Sequence, residues 1–78
     1  MATAIGVDCT FSAEGAVRVR RVQVGEQWLP VEQGRQWLDQ HGRHVLVMLP
    51  GNQARHIVLR PDTMAWELEA NRGDVQVV

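Results

Sequence analysis

Apolar and polar residues alternate along most of the chain, and turn signals interrupt the alternation at short intervals. Ile5, Val7, Cys9 and Phe11 alternate with Gly6, Asp8 and Thr10, which places the four on one face of a first strand. Val17 and Val19 alternate with Arg18 and Arg20. At Arg21 the pattern slips by one position and resumes with Val22 and Val24, as it does where a β-bulge interrupts a strand. Glu14-Gly15, Gly25-Glu26, His41-Gly42, Pro50-Gly51-Asn52 and Arg60-Pro61-Asp62 supply the turns.

Beyond Gly25-Glu26 a strand carries Trp28, Leu29 and Val31. The apolar run within His44–Leu49 reads as a central strand covered on both faces. In Arg55–Arg60, Ile57 and Leu59 face one way while His56, Val58 and Arg60 face the other. Met64, Trp66, Leu68 and Ala70 alternate with Ala65, Glu67 and Glu69, and Asp74–Val78 reads as a short edge strand or a frayed tail. Two segments admit a helix instead. Residues 30–42 have Pro near a helix start and Gly42 at its end, but Gly34 sits mid-segment and the apolar residues Val31, Trp37 and Leu38 make a poor stripe. Residues 63–72 contain good helix formers, yet their period-two alternation is stronger. The expected fold is all-β: a small, strongly curved antiparallel meander or partly open barrel of 5–6 short strands, with α+β and one short helix in 30–42 or 63–72 as the alternative.

The length of 78 residues fits one domain spanning 1–78. A chain this short buries only about 60% of its unfolded surface, so packing alone or association with a partner must stabilise it. Cys9 is the single cysteine, which excludes an internal disulfide and fits a reducing compartment. Met1–Val7 lacks a basic leader, and no apolar run approaches a membrane span, so a cytoplasmic location with no membrane partner is expected.

A net charge of −1 argues against a dominant electrostatic partner. All basic residues are Arg and Lys is absent, which excludes Schiff-base chemistry and a phosphate-loop lysine. Arg18, Arg20 and Arg21, joined by Arg60 or Arg55 if their strands neighbour, form the candidate nucleic-acid-binding face. An exposed Trp28 or Trp37 would supply a base-stacking surface. The plainer reading is a solvated strand face opposed by Glu67 and Glu69. His41 and His44, with Asp39, His56 or Cys9, invite a metal reading, but the chain has no Cys pair and no strong His spacing, so no metal or cofactor is expected. Glu67 and Glu69 share a strand face at a spacing common on any solvated strand, and no nucleophile elbow or phosphate loop is present; neither an enzyme nor a small-molecule substrate is expected. Cys9 on an apolar face reads as a small hydrophobe. Trp28, Leu29 and Pro30 form the candidate protein-binding patch, with Trp66 assigned to the core.

Gly25, Trp28, Val31, Trp37, Val45–Met48, Gly51, Ile57, Leu59, Trp66 and Leu68 together resemble the pattern of a family of small bacterial β-domains. Such domains occur alone and at the C-terminal end of Y-family-polymerase-like proteins of bacterial mutagenesis complexes. The resemblance implies a β-domain with an accessory or docking role, and no catalytic residues. The function expected is therefore a non-enzymatic domain that binds another protein or its own copy. The alternative is a nucleic-acid-binding accessory domain that uses the Arg-rich strand.

Overall fold

Among the described residues the alternating segments form seven strands, and the turn signals fall between them. The computed structural model describes residues 3–69. The strands are β1 (Thr3–Phe11), β2 (Val17–Val24), β3 (Gln27–Pro30), β4 (Glu32–Asp39), β5 (Gly42–Leu49), β6 (Gln53–Leu59) and β7 (Trp66–Leu68). Each pairs antiparallel with its neighbours in one sheet of order β3-β2-β1-β7-β6-β5-β4, curled into a half-barrel. No helix forms among the described residues, so none crosses a membrane.

The strand count exceeds the expected 5–6 because the run Gln27–Asp39 divides at Val31. Its first part pairs with β2 and its second with β5. Gly34 falls where the register passes from Gln33↔Val47 to Gln36↔Val45, so three steps on β4 oppose two on β5. That irregularity explains why the segment shows no clean stripe. β7 begins at Trp66 rather than at Met64, because Met64 takes a left-handed φ of 58° in the turn after Arg60. Ala70 and the segment Asp74–Val78 lie outside the described residues.

The slip at Arg21 is a bulge. Asp8 pairs with Arg21 and Cys9 with Val19, which leaves Arg20 as the extra residue. Val17, Val19 and Val22 therefore all point inward despite the break, and they pack with Val45, Val47, Leu49 and Ile57. Ile5, Val7, Cys9, Val24, Val31, Trp66 and Leu68 complete the inner layer, half-buried. Burying each such Val or Ile contributes about 1.5–3 kcal/mol, which the small size of the domain makes indispensable.

The outer face is only partly covered. His44 and Val58 are buried on it, but Leu46 and Met48 are 39% and 37% exposed. The expectation that His44–Leu49 is covered on both faces thus holds for its first half alone: among the described residues, no second layer covers Leu46 and Met48.

Polar side chains close what the backbone leaves open. Between the first half of β2 and β4 no backbone ladder forms; instead Gln33 and Gln36 reach across. The Val19 N–H donates to Gln33 Oε1 at 2.7 Å, and the Val17 N–H donates to Gln36 Oε1 at 3.0 Å. Both amide nitrogens donate to the Val17 carbonyl, at 2.9 and 2.8 Å. Arg43 ties the same end shut by donating to the Gly15 carbonyl at 2.8 Å.

Candidate functional site

The bulge gathers arginines beside an exposed tryptophan. Arg20 and Arg21 both reach Asp8, with N···O separations of 3.3 and 2.9 Å. The Arg21 hydrogen bond holds the Asp8 carboxyl below its usual range against desolvation, and the charges of Arg20 and Arg21 add to the lowering. The Arg21 guanidinium also lies 5.6 Å from the centre of the Trp28 ring. Trp28, 44% exposed, rests on the outer face of β2 and reaches Gly6 of β1, where a side chain would strike it. The carboxylate opposing this strip is Asp8, not Glu67 or Glu69.

Arg60 does not join these arginines. β1 and β7 stand between β2 and β6, and Arg60 faces Glu67 at 3.8 Å and Asp62 at 4.0 Å. Arg55 pairs with Val47 and its Nε is buried, which puts it on the inner side of β6. Among the described residues, Arg18, Arg20 and Arg21 alone make the basic strip.

Of the protein-binding candidates, Trp28 and Pro30 are exposed on the edge strand β3, while Leu29 pairs with inward-facing Val22 and is half-buried. Pro30 and Met48 line one shallow hollow of about 290 Å³ together with Glu32 and the Pro50–Asn52 turn. This juxtaposition brings exposed apolar side chains of β3 and β5 onto one surface.

The histidines assemble differently from a metal set. On the outer face of β4–β6, Asp39 Oδ1 lies 2.7 Å from His44 Nε2, and His44 Nδ1 lies 2.9 Å from His56 Nε2. A carboxylate only accepts, so His44 Nε2 carries a proton for Asp39. When His44 is neutral it presents a lone pair at Nδ1, to which His56 Nε2–H donates. Trp37 lies parallel to His44, with ring centres 4.9 Å apart and 1° between planes, and the Arg35 guanidinium lies 5.2 Å from the Trp37 ring. Both His44 nitrogens are spent on hydrogen bonds, and no group of three ligands converges among the described residues. Cys9 sits among the inner layer, far from this cluster in the sheet order.

Hydrogen bonding by His44, with a further contribution from the His41 N–H, holds the Asp39 carboxyl low against slight desolvation. Burial, then the neighbouring His44, pushes the His56 imidazole below its ordinary 6.5, against the opposing pull of Glu69 and Asp39. A cleft of about 290 Å³ beside the pair is lined by His41, His44, His56, Arg60 and Glu69.

The sequence reading missed two of these features. The glutamine seam carried no periodic signal, because the irregularity at Gly34 hides the inward phase of Gln33 and Gln36. The His pair had a signal in the hairpin itself: the Pro50–Asn52 turn pairs Leu49 with Gln53, and counting outward brings Leu46 opposite His56 and His44 opposite Val58.

Fold and surface define a small, curled antiparallel β-domain, closed by glutamines along one seam and carrying a histidine cluster on its outer face. Comparison with protein-family models, with curated proteins and with solved structures finds no match to this chain.

Proposed function

We propose that this chain is a non-enzymatic interaction domain that binds another protein or a second copy of itself through Trp28, Pro30, Leu46 and Met48. The observation that supports this reading is the shared hollow that sets Pro30 of edge strand β3 beside Met48 of β5, with Trp28 and Leu46 exposed on the same two strands. An edge strand with a free outer backbone and adjacent apolar side chains is the arrangement that accepts an added strand or a flat partner surface. Leu29 is half-buried and pairs with inward-facing Val22, so it stays outside the contact.

Sedimentation velocity across a wide concentration range tests the reading, with Met48→Glu and Pro30→Glu variants alongside. Self-association that either charge weakens supports a second copy as the partner. A protein that stays monomeric at every concentration removes self-association, and affinity capture compared between wild type and the Met48→Glu variant then tests for a different protein. Equal capture by both overturns the patch.

One observation favours a second reading, nucleic-acid binding: the Arg18, Arg20 and Arg21 strip adjoins the exposed Trp28 ring, pairing phosphate-neutralising groups with a stacking surface. Fluorescence anisotropy of labelled single- and double-stranded DNA and RNA at two salt concentrations tests it. Salt-sensitive binding lost in an Arg18→Ala/Arg20→Ala variant supports that reading, and no binding at low salt removes it. The resemblance to polymerase-associated β-domains is compatible with either role.

A further inference from the structure

We propose that the His44–His56 contact is a proton-counting latch on the outer face of β5 and β6, closed while the pair carries at most one added proton and opened by a second on acidification. This inference stands whatever the outer face binds.

The argument rests on donor and acceptor counting. Asp39 fixes a proton on His44 Nε2, so the 2.9 Å contact between His44 Nδ1 and His56 Nε2 must be made by one N–H and one lone pair. The ring centres lie 5.0 Å apart with 29° between planes, a separation too long for face-to-face contact and one that fits a 2.9 Å N···N hydrogen bond between the ring edges. A first added proton preserves the bond. It goes to the outer Nδ1 of His56, and Nε2–H continues to donate. A second proton has only His44 Nδ1 to occupy, where it confronts the His56 Nε2–H. Two donors then face each other and the contact must part.

The surroundings decide what this breaks. His44 is 7% exposed, held between the parallel Trp37 ring and the strand, so it has no room to turn its charged edge to water. His56 pairs directly with Leu46 and lines the cleft, so it is the ring that can leave. Its departure uncovers Leu46 and removes one wall from Trp37, which lies 5.5 Å from His56 between ring centres. The charged neighbours are Asp39 and Arg35 from β4, His41 in the β4–β5 turn, Arg60 after β6, and Glu67 and Glu69 from β7 and its end. The carboxylates favour the first proton, whereas Arg35, Arg60 and a protonated His41 oppose the second. The charge of the first proton opposes the second across the 2.9 Å contact, so the pair takes up its protons as one coupled unit.

Long-range proton–nitrogen correlation spectra of the full chain, taken from about pH 7.5 downward until both rings are charged, report the tautomer and charge of each ring. The expected result is Nε2–H on both rings at the upper end, then two resolved titration steps, with contacts between the His44 and His56 rings lost at the second. A His56→Gln variant supplies the functional comparison: its amide can donate to neutral His44 or, turned over, accept from the charged ring. In wild type the unfolding constant rises on acidification by about tenfold for each unit by which folded His56 lies below free imidazole. In His56→Gln that rise is lost. Independent titration of both rings with one midpoint, or ring contacts that persist through the second step, overturns the latch. If the variant does not fold, the wild-type spectra decide the matter alone.

Discussion

Gln33 takes the place of a paired strand opposite Val19, accepting its N–H at 2.7 Å and donating in the same reach to the Val17 carbonyl at 2.9 Å. One side-chain amide thus satisfies two backbone groups that the sheet order leaves without a ladder. Replacing Gln33 by Ala strands the part-buried Val19 N–H and should destabilise the fold by about 1–3 kcal/mol. Urea unfolding followed by circular dichroism measures the loss. Gln36→Ala should cost less at the Val17 carbonyl, which keeps its bond from Gln33, and more at the Val17 N–H.

Two glycines at positive φ should answer mutation differently. Gly42 has φ 130°, and a Cβ there would run into the Leu59 carbonyl of the neighbouring strand. Gly51 has φ 84° with open space around it. Gly51→Ala should therefore cost only the backbone strain, about 1–2 kcal/mol, while Gly42→Ala must displace β6 and should cost more than about 4 kcal/mol. Thermal melts of the two variants side by side test the order.

The turns and the strand phases were legible from the sequence because they depend on near neighbours. Gly25-Glu26 and Pro50-Gly51-Asn52 punctuate the chain where it reverses. The slip at Arg21 revealed the bulge because valines on both sides must keep facing the core. What stayed hidden depends on pairing across the sheet. Asp8 meets Arg20 and Arg21, and Arg60 is kept from them, through a strand order that local periodicity does not encode. His44 and His56 meet through a register that follows from the hairpin turn but not from the spacing of histidines.

Trp28 and Gly6 should behave as a coupled pair. A Cβ on Gly6 would lie 3.1 Å from the Trp28 ring and 2.8 Å from Gln23 Oε1, of which the flexible amide can move away more easily than the ring. Gly6→Ala should lift the indole, increase its quenching by acrylamide and destabilise the sheet. In a Trp28→Ala background the same change should cost less, leaving a coupling of about 0.5–1.5 kcal/mol in a double-mutant cycle.

Acid should act on two carboxylates that fold into partnerships. Asp8 and Asp39 both titrate below their ordinary 3.8 in the folded chain, so the unfolded chain binds more protons as pH falls through that region. Their contribution to stability is fully present above about pH 5 and is lost progressively toward about pH 2. Asp8→Asn should flatten part of this decline in urea midpoints measured across the range.

Cys9 should be a slow nucleophile. Burial against the core pushes its thiol above the ordinary 9.0, so little thiolate forms near neutrality. Reaction with a disulfide reagent should run slower in the folded chain than in denaturant, and a rate equal to that of the unfolded chain would contradict the packing.

Val31 is the single residue between β3 and β4, which occupy opposite ends of the strand order. Its N–H still bonds to Arg20 of β2 at 3.1 Å, and the chain then crosses to a new companion, β5. A linear list of strands thereby acquires a circular connectivity, with one peptide step as its clasp. The two ends of the sheet are consequently leashed to each other through a single residue: a residue inserted here would slacken the tie between them, where the same insertion at Gly25 or Gly51 would merely lengthen a hairpin loop.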